Sequence, residues 1–333
     1  MIKKILFFTL SNFGDVILTL PVLDVLRVNY PDSKITVMVG PRAAEVFGNN
    51  PYIHNLIIYD KYAPLRKKMQ LFFQLKKGRY DLVIDLRNTL FGALLPVRFR
   101  TSPFLRIPPH IRHMRQKNLY RLMAALRHRE PSMPTKERLF YISPEDENYI
   151  DSLFQEHGIA KSDKIIIISP AAGGKTRRWQ KEKFVGLCFS LVNNYSVILI
   201  GRENDKPLTQ YIKSECKDLL ETKTSNKTGK IFDFAGITNL AQLGALFKKS
   251  YLVVVCDTGI LHLASYLDIP IVGLFGPSDE RRYGPWSTKF KVIFSPIPCR
   301  PCRKPDCKFN TVECMQKISV NEVLDSIDAL LKS

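Results

Sequence analysis

Apolar residues along the chain fall into short runs, separated by stretches with helical period. Residues 3–9 form a mostly apolar run of strand length. Residues 15–28 follow as a predicted helix, with Ile17, Leu20, Val22, Leu23 and Leu26 on its buried side. Further strands are predicted at 34–39, 55–59 and 81–85, with a helix over 65–76. A second series starts after a polar helix at 144–157. Its strands are 164–169, 196–201, 231–234, 251–256 and 270–275, and its helices 181–193, 239–248 and 259–266. Strands divided by helical segments need crossovers, which is the mark of parallel sheets covered by helices. The pattern predicts two α/β domains with a boundary near Gly158: residues 1–158 and 159–318. A terminal helix over 319–333 could pack on either domain, including back on the first.

Length agrees, since 333 residues correspond to about two domains at ~150 residues each. The apolar runs are far shorter than the ~20 residues that span a bilayer. The opening Met1-Ile-Lys-Lys and the six-residue apolar stretch 5–10 imitate a secretory leader. The run is too short, however, and Asn12 and Asp15 follow it without a small-residue cleavage site, so it reads as a buried first strand. Cys188, Cys216 and Cys256 stand alone among seven cysteines, which suits a reducing cytoplasm better than a disulfide framework.

Charge changes the picture. The net charge is +19, and residues 61–129 hold seventeen Lys or Arg against Asp81 and Asp85 alone. Residues 98–129 contain nine basic residues, three histidines and no acid. A solvated helical face usually carries acids too, so this block points to an anion-facing surface. Arg112, Arg115 and Arg121 are its candidate contacts for an anionic partner or a membrane surface.

Four stretches could carry chemistry. Leu10-Ser11-Asn12-Phe13-Gly14-Asp15 follows the first strand, where open α/β sheets bind ligands. Gly14 permits close backbone approach, and Asp15 is either a helix cap or a reactive carboxylate. Residues 169–179 form a Gly-rich loop with Lys175, Arg177 and Arg178 that suits phosphate. It is not an NTPase loop, because Ser169 stands where that motif needs glycine. A solvated basic turn is the alternative. The third is an apolar strand ending in Asp257, with a helix opening at Thr258 and Gly259. The free amides of that helix would receive an anion, and His262 follows one turn later. Here a histidine bonded within its own helix is the alternative. Last, Cys299, Cys302, Cys307 and Cys314 could hold structural zinc, less readily an iron–sulfur cluster, or be free thiols.

Taken together, residues 11–21, 169–172 with 177–179, 256–264 with 270–277, and the tail ending Cys314-Met315 resemble the ADP-heptose:lipopolysaccharide heptosyltransferases, glycosyltransferase family 9. The resemblance runs over almost the whole chain. Asp257-Thr-Gly-x-x-His-Leu-Ala, followed by Phe275-Gly-Pro, is its most specific part.

What it implies is an α/β GT-B architecture, two Rossmann-like domains facing a central cleft, with the acceptor on the first and ADP-heptose on the second. It also implies an inverting, metal-independent transfer to a lipid A-linked inner-core acceptor, by a cytoplasmic enzyme peripheral to the inner membrane and its inner leaflet. On this resemblance Asp15 matches the base, Ser11 and Gly14 the donor-sugar side of the first loop, and Arg177 a phosphate-contacting lysine. Thr258 and Gly259 match the diphosphate-binding helix start, Asp257 a sugar-hydroxyl contact, and His262 a donor-site residue. Where some members place a ribose-binding glutamate, this chain offers Asp233. A basic nucleic-acid-binding protein with a zinc site is the rival from another class. It leaves the paired α/β halves unexplained, so no nucleic-acid partner is expected. A same-family transferase using another sugar or acceptor is the nearer alternative.

Overall fold

The computed structural model describes residues 2–126, 132–134, 139–222 and 229–332. Arg127, His128 and Arg129 of the basic block lie outside them. The chain divides into two compact units, Met1–Tyr141 and Ile142–Ser333.

The first unit contains β1 (Lys4–Phe8), α1 (Phe13–Ile17), α2 (Leu20–Asn29), β2 (Lys34–Val39), β3 (Asn55–Ile58), α3 (Leu65–Lys77), β4 (Leu82–Asp85), α4 (Leu90–Leu94), β5 (Phe99–Arg100) and α5 (Met114–Ala125). Its sheet is parallel, in the order β3-β2-β1-β4-β5. The central strands are buried on both faces, which is why they read as continuous apolar runs.

The single helix expected over 15–28 is two helices broken at Leu18–Thr19. Pro21 stands in the first turn of α2, where its missing N–H costs nothing; inside a continuous helix it would clash with the preceding turn. Thr19 fills the break, donating to the Val16 carbonyl at 2.6 Å and pairing with the Thr9 hydroxyl at 2.7 Å.

The second unit contains α6 (Pro144–Glu156), β6 (Ile165–Ser169), α7 (Lys181–Leu191), β7 (Ser196–Leu199), α8 (Lys206–Thr222), β8 (Ile231–Asp233), α9 (Leu240–Lys248), β9 (Leu252–Cys256), α10 (Gly259–Tyr266), β10 (Ile271–Leu274), α11 (Glu280–Tyr283), β11 (Phe290–Ile293), α12 (Glu313–Gln316) and α13 (Val320–Lys332). This sheet is also parallel, in the order β11-β10-β9-β6-β7-β8.

The division lies before α6 rather than after it, as a boundary at Gly158 would have it. Long-range bonds set its place. Ser132 and Leu139 are tied to α2, through Asn29 at 2.8 and 2.9 Å and through Asp24 at 2.7 Å. Beyond Tyr141 the bonds change partner. Glu147 and Asp151 of α6 pair with Lys248 and Lys249 at 3.3 and 2.8 Å, and the Tyr149 hydroxyl donates to the Ile237 carbonyl at 2.7 Å.

The terminal helix packs within the second unit. Val323, Ile327 and Leu330 of α13, spaced four and three apart, enter the second core beside Trp179 and Phe184. The Trp179 indole N–H donates to the Ile318 carbonyl at 3.0 Å, just before α13 begins.

Both tryptophans, Trp179 and Trp286, lie in the second unit, so their fluorescence follows its unfolding. Ile327 is fully buried, and Ile327→Ala should lower stability by about 2–4 kcal/mol in urea unfolding read by tryptophan emission. An unchanged midpoint would contradict the placement of α13.

Candidate active site

In each sheet the strand order reverses once, and ligands of open α/β sheets bind outside the carboxyl ends of the strands at that reversal. In the first unit it lies between β1 and β4, in the second between β6 and β9. The two sites are built independently.

At the first, Leu10 to Asp15 leave β1 against the end of β2. Gly40 makes that approach feasible, since a Cβ there would fall 2.7 Å from Ser11. Asn12 precedes α1 without capping it; its amide donates instead to the Asp15 carboxylate at 3.0 Å. The N-cap position belongs to Asn12, not Asp15. Asp15 sits half-buried in the first turn of α1, with Gly14 before it, and Asn12 is its side-chain partner among the described residues.

Across the reversal, Asp85 ends β4. Its carboxylate accepts from the Thr89 N–H and hydroxyl, both at 2.7 Å, and from the Arg87 N–H at 2.9 Å. Burial pushes this carboxyl up, against the pull of those donors. Arg121 reaches in from α5, donating to the Leu86 carbonyl at 3.0 Å. Burial pulls its guanidinium down, while the neighbouring Asp85 raises it.

The three candidate arginines differ in setting. Arg112 is exposed, Arg115 is partly buried in the first turn of α5, and Arg121 is part of the β4 end. Asp85 escaped the sequence reading, although a carboxylate closing an apolar strand was a usable signal.

At the second reversal, three connections converge on Asp257, which is 6% exposed. From the Gly-rich loop, Arg177 Nη1 donates to the Asp257 carbonyl at 3.1 Å and approaches its Oδ2 at 3.4 Å. From the connection after β10, the Ser278 hydroxyl donates to the same Oδ2. Thr258 then opens α10 in an extended conformation with no side-chain cap. Its Oγ1 is buried and has no hydrogen-bond partner among the described residues. With the first N–H groups of α10 from Gly259 on, which a helix start leaves without intrahelical partners, it forms a set of donors suited to an anion.

His262 is buried one turn on, its ring stacked 5.7 Å from Trp286 and tilted 6.5 Å from Tyr283 of α11. Cys256, just before Asp257, is fully buried, and burial pushes its thiol up to about 12, so it is an inert core residue.

Asp233 closes its own turn. It accepts from Thr209 at 2.9 Å and from the Ala235 N–H at 3.1 Å. The carboxylate beside the Ala235-Gly236 segment comes instead from the connection after β7. Gly236 has φ +72°, and a Cβ on it would fall 2.3 Å from Glu203 Oε2. Glu203 is far from that segment in sequence, so sequence reading missed it.

The four cysteines line one cavity of about 450 Å³ with Thr176 and Phe309. Backbone N–H groups of Val312 and Phe309 hold the Cys307 thiol below its usual range. Burial, then the neighbouring thiols, push Cys314 up. Among the described residues, no three His, Cys, Asp or Glu side chains are grouped to hold a metal ion. The segment is secured by hydrogen bonds and an ion pair. Arg300, buried, donates to the Gly276 and Ser278 carbonyls and pairs with Glu280 at 3.0 Å. Thr176 donates to the Pro305 carbonyl at 3.2 Å.

The sequence model of glycosyltransferase family 9 (heptosyltransferase) matches residues 68–313. Lipopolysaccharide heptosyltransferase 3 of Escherichia coli is 24% identical over 96% of this chain and 97% of its own length. Among solved structures, a family 9 glycosyltransferase from Veillonella parvula gives a TM-score of 0.77 at 22% identity, over 99% of this chain and 97% of that one. The E. coli ADP-heptose LPS heptosyltransferase II gives 0.73 at 22% identity, over 99% and 98%.

Arg121→Gln removes a charged donor from the end of β4. It should speed hydrogen exchange around the β4–α4 turn and cost about 1–2 kcal/mol. Arg112→Gln, at an exposed position, should change stability by no more than ~0.5 kcal/mol. Equal effects of the two would show that Arg121 is a surface cation after all.

Proposed function

Because the chain belongs to glycosyltransferase family 9 (heptosyltransferase), we propose that it moves heptose from ADP-heptose to the lipid A-linked inner core of lipopolysaccharide, with inversion and without a catalytic metal. It is a glycosyltransferase with the GT-B fold, built from two Rossmann-like units. In this reading the second unit takes the nucleotide sugar and the first takes the acceptor. The observation that carries it is the buried, unpartnered Thr258 Oγ1 at the start of α10, beside Arg177. A buried hydroxyl without a partner costs roughly 1–3 kcal/mol, which a ligand oxygen recovers.

The transfer is one displacement. Asp15 takes the proton from an acceptor hydroxyl, whose oxygen bonds to the anomeric carbon as the bond to the β-phosphate oxygen breaks. The leaving ADP carries the electron pair away on the opposite face. Charge developing on the diphosphate meets the α10 amides, the Thr258 hydroxyl and the Arg177 guanidinium, which supply the positive field a divalent ion would otherwise provide. By the resemblance Ser11 and Gly14 match the donor-sugar side of the first loop, Asp257 a sugar-hydroxyl contact, and His262, stacked on Trp286, a donor-site residue. Glu203, rather than Asp233, is the carboxylate available to a ribose.

Among the described residues, no helix is long and apolar enough to cross a membrane. The proposed setting is cytoplasmic, with peripheral attachment at the inner leaflet. There Arg112 and Arg115 would meet the acidic acceptor.

Asp15→Asn keeps the shape and the Asn12 bond but removes the base. With ADP-heptose and a truncated inner-core acceptor, turnover should fall roughly 10²-fold or more while ADP affinity holds. A variant retaining most of its turnover would sink the assignment. Wild-type activity should also survive a chelator in the same assay, and strict dependence on added magnesium or manganese would contradict the mechanism.

A further inference from the structure

Helix α3 is held to its unit by one side only. Leu75 is buried, and Leu71 and Phe72 pack against the core formed by Leu6, Phe8 and Val83. Phe72 also stacks 6.3 Å from Phe91 of α4. A second apolar row is not covered. Leu65, Met69 and Phe73 are 73%, 52% and 53% exposed, and at i, i+4 and i+8 they line one side of the helix. Tyr62, just before the helix, is 81% exposed.

Polar chemistry around the row is of one sign. Residues 61–80 contain seven Lys or Arg and no acid. Lys61, Arg66, Lys67, Lys76, Lys77 and Arg79 are exposed. A helix with an aliphatic and aromatic row, flanked by cations and low in mean hydropathy, matches an element that lies in a membrane interface. Thirteen residues span only about 20 Å, enough to lie in the surface and too little to cross it.

We propose that α3 is a membrane-docking element, seating Leu65, Met69 and Phe73 among the acyl-chain boundaries of an anionic bilayer while its Lys and Arg residues engage lipid phosphates. Charge complementarity selects this occupant. An anionic leaflet attracts each nearby cation, whereas a soluble anion or nucleic acid would leave the apolar row in water. The inference rests on the reading of a membrane-glycolipid acceptor and deepens it, assigning the attachment to a helix outside the acceptor arginines. Attachment of this kind has two parts. Salt screens the charge part, with a Debye length of ~8 Å at physiological strength, and spares the apolar part.

The test is flotation of the full chain with phosphatidylglycerol–phosphatidylethanolamine vesicles, beside phosphatidylcholine vesicles. The wild type should float with the anionic vesicles and bind phosphatidylcholine poorly. The triple variant Leu65→Ser, Met69→Ser and Phe73→Ser should bind about tenfold more weakly or worse. So should Arg66→Gln with Lys76→Gln and Lys77→Gln. Met69→Trp provides a second reading, since its emission should shift to the blue on anionic vesicles. Wild-type affinity in the triple serine variant, or an unshifted Met69→Trp that nonetheless floats, would overturn the proposal. So would a change of oligomeric state in the serine variant with vesicle binding intact, which would make the row a protein interface. Vesicle binding is read without turnover, so a failure of the transferase reading would show separately.

Discussion

At the carboxyl end of β9, the buried Asp257 holds Arg177 from the connection after β6 and Ser278 from the connection after β10. Three segments distant in sequence are brought to one point by it. A carboxylate at this depth is tolerable only with such partners, and removing one would leave an uncompensated charge. The pairing also decides what Arg177 can do. Nη1 alone makes both contacts with Asp257. A guanidinium carries five donors, so the remainder of the fork can address a phosphate while Asp257 fixes its position. A lysine would have to divide one ammonium between the two tasks.

Around this point the chain builds a second layer. Arg300 grips the carbonyls of Gly276 and Ser278, and so fixes the connection that delivers Ser278 to Asp257. Arg303 does the same for Asp279. Burial alone would raise that carboxyl, but Arg281 and Arg303 outweigh it and hold it below its usual range. The cysteine-rich segment between β11 and α12 therefore braces the loops around Asp257.

The strands were legible in the sequence because parallel strands are buried on both faces and cannot hide their apolar character. Lys34–Val39 and the core of every central strand stand where the pattern puts them. Helices α5 and α8 were not read as elements, because few of their side chains are buried apolar groups. In α8 these are Ile212 and Cys216, with Thr209. Short β5 and the largely exposed edge strand β11 give similarly little periodic signal. The loops that carry Asp15, Arg177, Asp257 and Thr258 could be found because each follows an apolar strand directly. What sequence could not show was convergence. Glu203 reaches Gly236, Arg121 reaches the end of β4, and α6 joins the second unit through ion pairs with α9. Each depends on partners separated by tens to a hundred positions, which no local pattern records.

In the proposed function the start of α10 binds the donor diphosphate through the Thr258 hydroxyl, which has no partner among the described residues. Calorimetric titration of ADP into wild type and Thr258→Val, with thermal unfolding of both free proteins, tests it most directly. Valine keeps the shape and removes the buried polar atom. The account predicts ADP affinity lower by about tenfold or more, with unfolding unchanged or shifted upward because an unsatisfied group is gone. Undiminished ADP affinity, or a loss of affinity that merely follows a loss of stability, would contradict it.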